Sequence, residues 1–386
     1  MFANWSSPFY GFKQAPRAWN SKFTSYLPAV GFQSFSSDSS LFVKIDGDDI
    51  ILLLLYVDDI ILTGSDSTKI QSIIDDLAGV FELKDMGRLT YFLGLHIQYK
   101  DDGSLFISQA QYAKDVLQKA GMDTCKSTST PCKPHTQILT GEGTLVSDPS
   151  HYRSIVGALQ YLTFTRPDIA HSMNMVCQFM AQPTNVHMVL VKRILRYIQG
   201  TIGYGLHYTK SKEFNITAYS DSDWAADINT RRSITGFVVY LGNNPVSWQS
   251  KKQSTVSRSS TEAEYKALAH CAANVFWIRS VFKDLHQSIS VPPSIYCDNI
   301  SALALSSNPV FHSKIKHLDM DYHFVREKVQ RGDLMVHYIP TDDQVADVFT
   351  KGLHSPIFHK HCRSLSLGIG YAANLASIAQ LSLWGE

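Results

Sequence analysis

Residues 50–57 read IILLLLYV, the longest unbroken apolar run in the chain, and two adjacent carboxylates, Asp58 and Asp59, end it before apolar residues resume at Ile60. Eight apolar positions in a row predict a strand covered on both faces, with the acid pair at a turn. Asp46-Gly47 marks a second turn just upstream. Ile70, Ile73, Ile74, Leu77 and Phe81 then repeat at helical spacing, and YFLGLHIQYKDDGSLFIS follows as a hairpin bending at Asp102-Gly103. From Met122 to Ser150 the pattern dissolves into Ser, Thr, Pro, Lys and Gly, which predicts a linker. Tyr152 to Gly200 returns to helical spacing, with Pro167 and Pro183 near helix starts.

A third pattern begins near Phe214. Strands FNITAYSD, ITGFVVYLG and PVSWQS precede a long helix from Ser259, a strand SIYCD, further helices, a strand LMVHYIP and a last helix from Thr341. Three meandering strands followed by helix-strand alternation predict a mixed sheet flanked by helices, so the fold class is α/β with α+β character.

Composition changes this picture little. The 386 residues, 44% hydrophobic and 18% charged, suit two or three globular domains, and a net charge of +1 excludes a globally basic nucleic-acid coat. Six cysteines without C-x-x-C spacing indicate neither a zinc ribbon nor a disulfide framework, and a reducing compartment is the expectation. The amino end lacks a basic n-region with an apolar core, and the run at 50–57 falls far short of the ~20 residues that cross a bilayer, so neither a secretion signal nor a membrane partner is expected.

The chemistry lies in misplaced acids. Ser259 stands three before Glu262, and Thr261 three before Glu264, so a helix starts here by either capping box. Glu262 has Lys266 at i+4, which suits a solvated face, whereas Glu264 has Leu268 at i+4 and Cys271 at i+7 on the apolar stripe. An acid on a packing face must be neutralised, paired or bound to metal. Asp221 at the end of NITAYSD, Asp298 at the end of SIYCD and Asp347 between Ala346 and Val348 pose the same problem. If the strands ending in Asp221 and Asp298 are neighbours, the four carboxylates converge and need divalent cations between them. Mg²⁺ fits oxygen ligands, and a pair of ions roughly 3.5–4 Å apart would promote phosphodiester hydrolysis. Asp223, Glu262 and Asp343 are nearby alternatives. A single strand-end Asp is usually a cap or turn residue, so it is the set of four that points to chemistry.

Other candidates carry the plainer reading. His312, His317 and His323 flank or enter the helix KHLDMDYHFVREKVQRG as solvated or hydrogen-bonded side chains, HKHC at 359–362 lacks a second ligand cluster, and Trp224 and Trp248 are expected in the core. Lys314, Lys316 and Lys351 are solvated lysines within reach of a nucleic-acid backbone.

TAYSDSDWAAD, TGFVVYLGNNPVSWQSKKQSTVSRSSTEAEYKAL, IYCDNISALALSSNPVFHSKIKHLDMDYHFVRE and VADVFTKGL, in that order, resemble the ribonuclease H domain of copia-type LTR retrotransposon Pol polyproteins. The resemblance implies a carboxylate tetrad at Asp221, Glu264, Asp298 and Asp347, Mg²⁺ or Mn²⁺ as cofactor, and the RNA strand of an RNA–DNA hybrid as substrate. YGFKQAPRAW, GFQSFSSDSSLFV, LLYVDDIILTGSD and YFLGLHI resemble the reverse-transcriptase palm of the same family, with Asp58 and Asp59 as its metal-binding acids and an RNA template and DNA as partners. The implied organisation is a partial palm over 1–121, a linker over 122–150, a helical connection over 151–205, a ribonuclease H-like mixed five-stranded sheet over 206–353 and a tail over 354–386. A further metal-binding Asp in a DVxxAF-like setting is not found before Tyr10, which implies no DNA synthesis by this chain. The strand at 50–57 is expected at an open sheet edge prone to self-association. A non-catalytic nucleic-acid-binding remnant is the competing reading. The family implies a cytoplasmic virus-like particle, the nucleus, or both.

Overall fold

The computed structural model describes residues 15–57, 59–211, 214–287, 289–307 and 319–370. Its packing divides into two units, one of residues 1–92 with 276–290 and one of residues 93–275 with 291–386.

The first unit runs α1 (Ala15–Tyr26), β1 (Gln33–Ser34), β2 (Leu41–Asp46), β3 (Asp49–Tyr56), β4 (Asp59–Gly64), α2 (Ser67–Ala78) and β5 (Tyr91–Phe92). The strands β1-β2-β3-β4 pair antiparallel in that order. Gly47, at φ +64°, turns β2 into β3 between the register pair Asp46 and Asp49, where the left-handed conformation favours glycine. The next reversal follows the register pair Tyr56 and Asp59, and its residue Val57 takes φ +52°, a conformation that a β-branched side chain rarely accepts. Asp66 caps α2 by accepting from Thr68 N at 2.7 Å, so Ile73 and Leu77 point inward.

The expectation of an open sheet edge at the strand 50–57 is corrected, and its two faces are covered unequally. Ile51, Leu53 and Leu55 are buried against Trp19, Phe23, Leu27, Ile73 and Leu77, while Ile50, Leu52 and Leu54 on the other face are half-buried. Strand β3 is paired on both sides, and β4 is the terminal strand of this sheet among the described residues. Period-2 alternation is hidden when both faces carry Leu and Ile, because composition no longer distinguishes the covered face.

The second unit begins with β6 (Leu95–Tyr99), β7 (Leu105–Ser108) and α3 (Ala110–Lys119). Residues 122–148 contain no helix or strand, yet Thr130, Pro131 and Cys132 are buried. Next come α4 (Pro149–Leu162), α5 (Ala170–Cys177), α6 (Asn185–Gly200) and β8 (Tyr204–Tyr208). Then follow β9 (Ile216–Asp223), β10 (Ile234–Leu241), β11 (Asn244–Lys252), the long α7 (Ser260–Asp284), β12 (Ser294–Cys297), α8 (Ile300–Ser307), α9 (Asp319–Gln330), β13 (Met335–Tyr338), α10 (Ser355–Ser364) and β14 (Leu367–Ile369). Helix α7 continues past Val275 into residues assigned to the first unit. Strands β14-β8-β7-β6 form one antiparallel sheet.

The other sheet has the order β11-β10-β9-β12-β13, with β9, β10 and β11 antiparallel and β9, β12 and β13 parallel. This is the mixed five-stranded sheet with flanking helices that the sequence implied. The last helix is corrected: residues 341–349 form two 3-10 turns, Thr341–Asp343 and Val345–Phe349, and α-helix resumes only at Ser355.

One apolar core joins α3, α4, α5, α6, β8, β10 and α10. Inside it, Arg166 is 2% and Asp168 1% exposed. Arg166 Nη2 meets Asp168 Oδ2 at 2.8 Å, Tyr197 donates its hydroxyl to the same oxygen at 2.5 Å, and Arg166 donates to the Thr201 carbonyl at 2.9 Å. Breaking a fully buried pair strands a charge. Asp168→Ala is therefore expected to destabilise the chain by about 3–5 kcal/mol, and the double variant Arg166→Met with Asp168→Leu by clearly less; urea midpoints of the three proteins check this.

Candidate active site

Strands β9 and β12 are neighbours and parallel, with Tyr219 opposite Tyr296. Two residues further along each chain stand Asp221 and Asp298, so the register brings these acids abreast at one end of the sheet. Asp298 immediately follows β12 and accepts from Thr341 Oγ1 at 2.9 Å. Asp221 is 3% exposed, and its Oδ2 accepts a short hydrogen bond from Thr350 Oγ1.

Thr350 gets there because of Gly236. In β10, Gly236 lies opposite Asp221, and a Cβ at this glycine would come within 2.6 Å of Thr350 Cγ2 and 2.7 Å of Phe349 Cβ. The missing side chain lets the 345–350 turn settle onto the sheet. Gln344, fully buried, pins the same turn: its Nε2 donates to Ser220 O at 3.0 Å, and its Oε1 accepts from Ala346 N at 3.2 Å. Asp347 is thereby carried to the acids, 5% exposed, with Lys351 Nζ 2.8 Å from its Oδ1. The same ammonium lies 3.8 Å from Asp221 Oδ2.

Helix α7 supplies the fourth acid. Its start is the Ser259 cap, whose hydroxyl accepts from Glu262 N at 3.2 Å. Glu264, 6% exposed, accepts from Ser222 N at 3.2 Å and lies 3.9 Å from Cys297 Sγ. Among the described residues, one metal-sized group has its ligand atoms within 4.8 Å of one another: Glu264, Cys297 and Asp298. Asp221 and Asp347 flank it, linked through Lys351.

Electrostatics register the crowding. Burial, then the charges of Asp221 and Asp298, pushes the Glu264 carboxyl up to about 10. Burial and the Asp221 charge push Asp347 up to about 8, against the pull of Lys351. Asp298 moves up for the same reasons. Burial alone would lower the Lys351 ammonium, but Asp221 and Asp347 outweigh it and raise its pKa. The donors are mostly hard carboxylate oxygens, underneutralised by a single lysine, and that set suits Mg²⁺ or Mn²⁺.

The alternatives are placed elsewhere. Glu262 is buried rather than on the solvated face expected for it, and it is matched by Lys266 at 2.8 Å and Arg258 N at 2.9 Å. Asp343 is exposed and pairs with Lys360 at 2.7 Å. Asp223 ends β9 beside the cluster, its carboxyl raised by burial and by Asp221. Trp224 is 49% exposed, which corrects its expected core position; Trp248 packs against the core and donates to Thr163 O at 3.0 Å. His361 and Cys362 of HKHC are buried, and His323 is exposed. Asp59 opens β4 of the first unit, whereas Asp58, His312, His317, Lys314 and Lys316 lie outside the described residues. Sequence reasoning missed Gly236, Thr341, Gln344, Thr350 and Cys297. A glycine inside the apolar strand ITGFVVYL was the one available signal, since it marks close backbone approach.

A family model described as reverse transcriptase (RNA-dependent DNA polymerase) matches residues 4–134. A retrovirus-related Pol polyprotein from transposon RE1 of Arabidopsis thaliana is 45% identical over 358 residues, 93% of this chain and 24% of that protein. An uncharacterized mitochondrial protein of the same plant is 52% identical over 227 residues, 58% of this chain and 93% of that protein. The solved foamy viral protease-reverse transcriptase in complex with RNA/DNA hybrid aligns over 86% of this chain and 39% of its own at 12% identity, with a TM-score of 0.43. Spanning 24% of the length of the RE1 polyprotein, with the reverse-transcriptase match at one end and the acid-bearing sheet in the second unit, the chain belongs to the copia-type LTR retrotransposon Pol polyproteins.

Proposed function

We propose that the second unit hydrolyses the RNA strand of RNA–DNA hybrids at Asp221, Glu264, Asp298 and Asp347, with Mg²⁺ or Mn²⁺ as cofactor. One observation carries this reading: acids from four separate segments meet at one end of a mixed sheet, with the Glu264 carboxyl pushed up to about 10. A fold that gathers four carboxylates around a single lysine works against itself, and this supports a site built for a divalent cation. Asp221, Glu264, Asp298 and Asp347 would hold it, and when bound it would supply an activated water and charge stabilisation at the phosphorus. The chain's own residues do the positioning. Thr350 fixes the rotamer of Asp221, Thr341 fixes that of Asp298, and Ser222 N holds Glu264. Lys351 bridges Asp347 and Asp221, its ammonium 2.8 Å from the first and 3.8 Å from the second, and so holds the two acids close.

Asp298→Asn is expected to lower metal-dependent cutting of a labelled hybrid by at least about 100-fold while leaving hybrid binding in place. Binding without cutting by the unsubstituted protein would replace hydrolysis with the non-catalytic nucleic-acid-binding reading.

The acid cluster also sets a pH dependence of stability. Glu264 keeps in the fold a proton that the unfolded chain gives up above 4.5, so the native state binds more protons and stability falls as pH rises from 4.5 towards about 10. Added Mg²⁺ is expected to raise Tm more near pH 9 than near pH 6. Glu264→Gln should flatten the pH profile and abolish most of that Mg²⁺ gain; calorimetry with and without Mg²⁺ reads both.

A further inference from the structure

Beside the acid cluster lies a cavity of about 580 Å³ within the second unit. Three segments wall it: residues 133–138, the residues of α5 from His171 to Met175 with Gln178 and Phe179, and the β9–β10 loop from Asp223 to Arg231. Thr350 and Lys351 form the side shared with the carboxylates.

The wall is fastened rather than loosely draped. Asn229 donates through Nδ2 to Ile138 O at 3.0 Å and accepts at Oδ1 from Thr140 N at 2.9 Å, tying the irregular segment to the loop. On the opposite side, Gly352 allows the Lys133 backbone to approach so closely that a Cβ would lie 2.3 Å from its carbonyl oxygen. Three of the seven non-glycine residues with left-handed φ among the described residues, His135, Ala225 and Arg231, sit on this wall. Such strain is held only where surrounding structure enforces it.

The lining carries spare positive charge. Asp227 is already matched by Lys252 at 2.9 Å. Lys133 and Arg231 are exposed and form no salt bridge among the described residues, and His135 joins them on the wall. Trp224, half exposed and held at its ring edge by a 3.0 Å hydrogen bond to Ser257 O, adds an aromatic face. Cations beside an aromatic surface, in a space of small-molecule size, suit a phosphate carried on a ring system.

We propose that this cavity is a nucleotide subsite: it takes one nucleotide of the strand being cut, its phosphate on Lys133, Arg231 and His135 and its ring system on Trp224. The assignment of that nucleotide to a strand being cut rests on the nuclease reading above.

The full chain is titrated with AMP and, separately, with inorganic phosphate, following ligand signals by saturation-transfer NMR. AMP is expected to bind more tightly than phosphate. Lys133→Ala with Arg231→Ala should weaken AMP at least about tenfold, and Trp224→Ala should bring AMP down to the level of phosphate. Circular dichroism confirms that these exposed-site variants fold. Equal binding of AMP and phosphate overturns the nucleotide assignment, leaving an anion site only. Absent AMP binding, or binding indifferent to the double variant, overturns the subsite altogether, even if hybrids are cut. AMP binding that survives in a chain cutting no hybrid upholds the subsite while removing the nuclease reading.

Discussion

Crowding of buried and half-buried carboxylates is the constraint around which the second unit's mixed sheet is arranged. Asp221, Asp298, Glu264 and Asp347 come from two strands, a helix and a 3-10 turn, and each has reached the same end of the sheet at a cost in desolvation. Among the described residues, no acid in the set is neutralised by a cation of its own; Lys351 is divided between Asp221 and Asp347, and Glu264 meets a backbone N–H and a thiol. A structural network avoids that arrangement. Arg166 and Asp168 in the same unit show the contrast: there the two charges cancel and the surrounding hydroxyls complete the hydrogen bonding. Polar burial in that network is satisfied, whereas in the acid cluster it is left open.

What holds the open cluster together is packing just behind it. Gly236 brings the 345–350 turn down onto β9 and β10, Gln344 bonds that turn to the strand, and the buried Val345, Ala346, Val348 and Phe349 surround Asp347 with apolar contacts. Helix α7 does the same for Glu264 by burying Ala263, Tyr265, Ala267 and Leu268 on either side of it. Rigid apolar neighbours prevent the acids from swinging apart to relieve their repulsion, and that is the preorganisation a cation site requires.

Much of this was legible because local patterns and tertiary demands agreed. The capping spacing at Ser259 located the start of α7, the positions of Leu268 and Cys271 exposed Glu264 as misplaced, and the alternation of strand and helix signals gave a mixed sheet. The parallel pairing of β9 with β12 makes the Asp221–Asp298 juxtaposition a matter of register. Other features had no local signature. The two-sided apolar run of β3 concealed which face α1 and α2 cover, and the acids of 341–349 read as helix because 3-10 and α-helical residues share composition. Trp224 looked like core because an aromatic residue carries no sign of exposure when its neighbours in sequence are small and acidic.

The segment from 122 to 148 shows most sharply why composition misleads. Ser, Thr, Pro and Gly argue against regular structure, and the segment has none, but lack of regular structure is not lack of fixed structure. Here the segment is held by distant side chains and a close glycine contact rather than by a ladder: Asn229 serves Ile138 and Thr140, Arg196 Nε donates to Lys126 O at 2.7 Å, and Arg193 reaches Thr130 Oγ1 at 2.9 Å. These partners lie between 63 and 91 residues away in sequence, so nothing local announces them. A stretch that reads as a spacer between domains thus becomes one wall of the cavity beside the acids, fixed there by residues that only the tertiary fold brings within reach.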